Sequence, residues 1–167
     1  MTTDGFEFSQ DGKTLLKCDF PQIGTFVKVP DGCEKIENGV FAEAPIISVS
    51  LPNSVKEIGE NLFSSSDTLK KVELSNSLAN LKPFTFSGCS SLEEISLPEN
   101  LESFPDGLFF GCSSLQKIDS CKNVNQIGFD VFRDCESLEF FEIPNKVKQI
   151  KKGEFVFIIG STGCGKS

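Results

Sequence analysis

Phenylalanine recurs on a fixed grid along this chain. Phe41, Phe63, Phe86, Phe109, Phe132 and Phe155 are separated by 22, 23, 23, 23 and 23 residues. Five positions before each stands an apolar residue: Ile36, Ile58, Leu81, Phe104, Ile127 and Ile150. Leu69, Leu92, Leu115 and Leu138 step by 23, and so do Cys89, Cys112 and Cys135. Pro30, Pro52, Pro98 and Pro144 fall on the same grid, with Ser75 and Cys121 in the two slots between. A unit this short cannot bury its own apolar side, so stacking units into one continuous core is the physical meaning of the period. The expected fold is a repeat solenoid.

One unit reads "LEEISLPENLESFPDGLFFGCSS", positions 92–114. Leu92, Ile95 and Leu97 open a short extended segment, and Pro98 with Asn100 turns the chain. Leu101 and Phe104 give a second apolar contact; "DGLFFGC" then turns back through a brief helical turn and places Phe109 in the centre. Phenylalanine suits that place because it is large, apolar and has no hydrogen-bonding group to satisfy. Serine-rich stretches such as "CSSL" fall at unit junctions, where short polar side chains satisfy backbone groups in tight turns. Before the repeats, Phe6 and Phe8 alternate with polar residues, Asp11-Gly12 is a hairpin turn signal, and Thr14 to Cys18 forms the return strand. The expected organisation is an N-terminal hairpin cap over 1–25, five full units and a partial sixth over 26–155, and a tail over 156–167.

The unit, with its L-x-x-I-x-L-P-x-x-L-x-x-F-x-x-x-x-F-x-x-C pattern, resembles the leucine-rich repeat of the BspA type across nearly all the chain. That resemblance implies a binding solenoid of the kind displayed on bacterial and protist cell surfaces, associated with adhesion to host or matrix proteins. The departures are local: Ser75 and Cys121 replace proline, and the first unit is one residue shorter.

Composition narrows the chemistry. The chain has 17 phenylalanines and no tryptophan, tyrosine or histidine. Without histidine there are no histidine triads, histidine metal sites or imidazole switches. The net charge is −8 and Arg133 is the sole arginine, which argues against a nucleic-acid partner and favours solubility. The first residues lack a basic segment followed by an apolar run, and no apolar stretch reaches the ~18 residues of a membrane span. Those absences point to the cytoplasm, whereas the resemblance implies a cell surface, and both stay open. Of seven cysteines, three share one repeat position. They read as a column of small buried thiols, and stacked identical positions do not make the tetrahedron of a zinc site. Glu93-Glu94 and the lysines Lys146, Lys148, Lys151 and Lys152 read as solvated surface. No serine or cysteine can find a histidine base, so the expected function is non-catalytic recognition of a protein partner, not yet identified.

The last residues, "KKGEFVFIIGSTGCGKS", fit G-x-x-x-x-G-K-[ST] after an apolar strand. In such a loop backbone amides surround phosphates, the lysine reaches the β/γ-phosphates and the serine holds magnesium. The segment is similar to the Walker A region of ATP-binding cassette ATPases. That likeness implies a phosphate loop of Gly160, Gly163, Gly165, Lys166 and Ser167. No helix follows it in this sequence, nor a Walker B acid. Three readings stand: the start of an ATPase domain cut off after the loop, an inactive joined end, or a weak phosphate site. ATP and magnesium enter as cofactors only with a further C-terminal domain, and no metal is expected in the repeats. "FVFIIG" leaves an apolar edge at the end of the array, so weak self-association through it is expected.

Overall fold

The computed structural model describes residues 2–3, 5–20, 25–119, 122–139 and 141–151. The elements are short strands joined by turns. The chain opens with β1 (Thr2–Thr3), β2 (Phe6–Phe8) and β3 (Thr14–Cys18), paired antiparallel in that order. The β2–β3 loop closes where expected: Ser9 N–H donates to Thr14 O at 2.8 Å, and the Asp11 carboxylate accepts from Ser9 Oγ and Lys13 N–H. Gly12 takes the left-handed conformation there, at φ 73°.

The later units supply two series of parallel strands, with the row of Leu81 supplying none to the second. The first sheet series is β4 (Phe26–Lys28), β6 (Ser48–Ser50), β8 (Lys71–Glu73), β9 (Glu94–Ser96) and β11 (Lys117–Asp119). Its middle residues are in register, Val27 on Val49 on Val72 and Ile95 on Ile118, and their side chains point to the core. Their neighbours point outward, as the two-residue period of a strand requires. The second series is β5 (Lys35–Ile36), β7 (Glu57–Ile58), β10 (Ser103–Phe104), β12 (Gln126–Ile127) and β13 (Gln149–Ile150). Strand β3 joins this series, pairing parallel with β5 through Leu15 on Ile36. The hairpin therefore extends the second sheet over the first unit and buries Phe6, Phe8, Leu15 and Cys18.

The third side consists of hydrogen-bonded turns where the sequence suggests a helical turn. Two columns of left-handed residues run down it: Gly39, Asn61, Phe84, Gly107 and Asp130, then Glu43, Ser65, Gly88, Gly111 and Asp134. Each left-handed residue rotates its peptide so that alternate amides point at the next unit. The result is a ladder with three rungs per junction, for example Phe84 N–H to Asp106 O, Phe86 N–H to Leu108 O and Gly88 N–H to Phe110 O at 2.7–3.0 Å. Left-handed backbone is unfavourable for residues with a Cβ, and the ladder is what holds it in place.

Inside, the phenylalanines stack. Phe41–Phe63, Phe63–Phe86, Phe86–Phe109 and Phe109–Phe132 have ring centroids 5.4, 5.4, 5.6 and 6.1 Å apart, with planes within 9° of parallel. Phe104 meets Phe109 and Phe132 edge-on. The one-residue deletion of the first unit lies between Ala44 and Ile46. There the turn bond Ile46 N–H to Ala44 O spans two residues, whereas its equivalent Leu69 N–H to Ser66 O spans three.

Candidate binding surface

The outward side chains of the first sheet form a face of two columns. One holds Phe26, Ser48, Lys71, Glu94 and Lys117; the other holds Lys28, Ser50, Glu73, Ser96 and Asp119. Phe26 is 71% exposed, the most exposed large apolar side chain among the described residues. Lys71 pairs with Glu73 at 2.6 Å and Lys117 with Asp119 at 3.0 Å. Both pairs are solvated, so they contribute little to stability and remain free to exchange partners.

This face is not a continuous ladder. Strands β4, β6 and β8 pair with one another, and β9 pairs with β11, but β8 and β9 do not pair. Bonds present at the other junctions, Leu51 N–H to Glu73 O, Lys70 N–H to Ile47 O and Gln116 N–H to Glu93 O, have no counterpart from Leu74, Glu93 or Glu94. A groove of about 900 Å³ opens there between the rows of Lys71 and Glu94. A second, of about 820 Å³, lies between the row of Lys117 and residues 141–146. In both cases the row on the N-terminal side is the one in which proline is replaced, by Ser75 and by Cys121. The Ser75 hydroxyl donates to Val55 O at 2.6 Å, and Asn76 N–H donates to Asn53 Oδ1 at 3.0 Å. These bonds fasten the end of β8 to the preceding unit. The second sheet is interrupted at the same unit, since the row of Leu81 lies in no strand. Pro105, at the position where Gly59 and Gly128 donate to the preceding unit, has no N–H to give.

The repeated cysteines serve as hydrogen-bond donors from one unit to the preceding one. Cys89 Sγ donates to Phe63 O at 3.2 Å, Cys112 Sγ to Phe86 O at 3.0 Å and Cys135 Sγ to Phe109 O at 3.1 Å. Ser66 occupies the same column and donates to Phe41 O. Burial pushes the Cys89 thiol up to about 12 and the Cys112 thiol higher still. A thiol kept neutral in an apolar column is a poor nucleophile and a poor metal ligand. Cys18, Cys33, Cys89, Cys112 and Cys135 are all free of disulfides.

Of the residues singled out in the sequence, Glu93 and Glu94 are solvent-exposed, and they also line the first groove. Lys146 bonds Asn123, and Lys151 pairs with Asp106 at 2.9 Å above the Phe129 ring. Cys121, Lys152, Phe155 and the candidate phosphate loop Gly160, Gly163, Gly165, Lys166 and Ser167 lie outside the described residues. The grooves are what sequence reasoning missed, and their one signal was the pair of missing prolines. Among the described residues no helix is long and apolar enough to cross a membrane.

The sequence profile described as "BspA type Leucine rich repeat region" matches residues 34–157 in six copies. A leucine rich cell surface protein from Faecalibacterium prausnitzii is 27% identical with a TM-score of 0.72, over 90% of this chain and 38% of that one. A leucine-rich repeat protein from Bacteroides ovatus is 24% identical with a TM-score of 0.75, over 83% and 36% of the two chains. One from Eubacterium ventriosum is 16% identical with a TM-score of 0.74, over 90% and 49%. The chain thus spans less than half the length of these three proteins. No curated protein matches.

Proposed function

Given that this chain belongs to the BspA-type leucine-rich repeat family, we propose that it is a non-catalytic recognition module that binds a protein partner through the exposed face of its first sheet. The carrying observation is the face itself: rows that present lysines, carboxylates, serines and Phe26 outward, interrupted by grooves between rows. It offers polar, charged and apolar contact on a repeated frame, whereas the thiols are held neutral in the core and there is no histidine to serve as a base. The relative from Faecalibacterium prausnitzii, described as a cell surface protein, supports display at a surface.

The test places a photo-crosslinking residue at Ser48 or Ser50 on the first sheet, and at Glu57 on the second. Each is exposed to extracellular matrix proteins and host-cell surface extracts. A partner should crosslink from the first sheet and be lost when Glu94 and Asp119 are both changed to Lys. Equal crosslinking from Glu57, or crosslinking indifferent to these two carboxylates, would refute the assignment of the face.

A further inference from the structure

The groove between β8 and β9 is lined by more than side chains. At the closed junctions Leu51 and Leu97 donate forward to the next row, and Lys70 and Gln116 donate back to the preceding one. By the same geometry the Leu74 amide points forward, and the Glu93 and Glu94 amides point back, into the space between the rows. The carbonyls that would meet them, on Ser96 and Lys70, face the same space. Strand-edge donors and acceptors therefore line the groove. Some Cα atoms of β8 and β9 still lie within 8 Å of one another, and pairing on both sides needs ~9.6 Å between rows, so a segment seated there bonds one wall at a time. The floor of the groove is apolar, made by Val72, Ile95 and Leu97.

The rim has a sign. Lys71 is engaged by Glu73, whereas among the described residues Glu93, Glu94 and Glu99 form no close ion pair, Glu94 feeling only the longer-range attraction of Lys117 in the next row; of the lysines lining the groove, Lys70 is the one in no close pair. The chain as a whole carries −8. An occupant must offer backbone hydrogen-bonding groups, a small apolar side chain for the floor and positive charge for the rim. Resting on the reading of this face as the recognition surface, we infer that the β8/β9 groove takes an extended segment of the partner carrying lysine or arginine, bonded through its main chain. Open strand groups are a common mode of peptide capture, in which the main chain gives affinity and alternate side chains give specificity.

The full chain is titrated with an acetylated heptapeptide of alternating lysine and valine, followed by amide chemical shifts. Shifts should centre on Leu74, Glu93 and Glu94. Changing Glu93, Glu94 and Glu99 together to Gln should weaken binding about tenfold, and changing Glu57 and Glu60 to Gln should leave it unaltered. N-methylation of alternate peptide amides keeps the charge and should abolish binding. A glutamate-for-lysine peptide should not bind. The inference is overturned if the shifts fall elsewhere, if N-methylation makes no difference, or if both glutamate sets act alike. If the peptide does not bind but the partner still crosslinks from Ser48, the groove assignment alone has failed. If the peptide binds while partner capture ignores the first sheet, the wider reading has failed.

Discussion

The Cys112 thiol donates to the backbone carbonyl of Phe86, one unit upstream, at 3.0 Å. That carbonyl also accepts from Cys89 N–H within its own turn. The second lone pair of a fully buried carbonyl is thus satisfied by a side chain from the next unit. Cys89 and Cys135 repeat the arrangement; Ser66 likewise donates to Phe41 O, while the Ala44 amide there donates to the Ser66 hydroxyl instead. The repeat calls for a small residue with one donor, and either cysteine or serine meets that need.

Cys112→Ala removes the donor and leaves a small void, and should cost about 1–3 kcal/mol. Cys112→Ser keeps the donor and should cost less, because Ser66 already works in that place. Urea denaturation of the two variants tests the order; a serine variant no better than alanine would show that the bond contributes nothing.

Removing one ring from the stacked column should be more severe. Phe109 touches Phe86, Phe104 and Phe132 and is fully buried. Phe109→Ala should cost about 3–5 kcal/mol in the same measurement. A loss under ~1 kcal/mol would contradict the packing described.

Stability should fall in mild alkali. Below the ordinary thiol value of 9.0 cysteines are neutral in both folded and unfolded chains, and the pH has no purchase through them. Above it the unfolded chain ionises its thiols while burial holds Cys89 and Cys112 neutral in the core. The unfolded state then binds fewer protons, so stability drops as pH rises from 9 toward 12. The slope is about 1.4 kcal/mol per pH unit for each thiol. Denaturation at about pH 8 and about pH 10 should show this loss, reduced when Cys89 and Cys112 are both changed to Ser.

The open junction should be visible in hydrogen exchange. Amides of Leu74, Glu93 and Glu94, which bond no neighbouring row, should exchange much faster than those of Leu51, Leu97 and Gln116, which do. Ser75→Pro restores the proline of the other rows and removes the bond to Val55. It should slow exchange at Leu74 and Glu93 as β8 is released toward β9, and unchanged rates would show that Ser75 is not what holds the rows apart.

Periodicity alone determined a great deal here. A 23-residue recurrence of Phe, Leu, Cys and Pro implies stacked units and names the core residues, because only stacking can bury a face that each unit is too small to cover. The hairpin opening was also legible, through Asp11-Gly12 and the alternation around Phe6 and Phe8. The turn side was less so: a glycine at 88 and 111 hints at left-handed backbone, but Glu43, Ser65 and Asp134 do the same task without that sign. The roles of the thiols, the second strand at Ser103–Phe104 and the break between β8 and β9 were decided in three dimensions. Each depends on how one unit meets the next, and a hydrogen bond between rows 23 residues apart leaves no mark on either row alone. Ser75 was readable as a departure from pattern. Only the tertiary structure shows its hydroxyl turned back to Val55 and the surface opening in the row beside it.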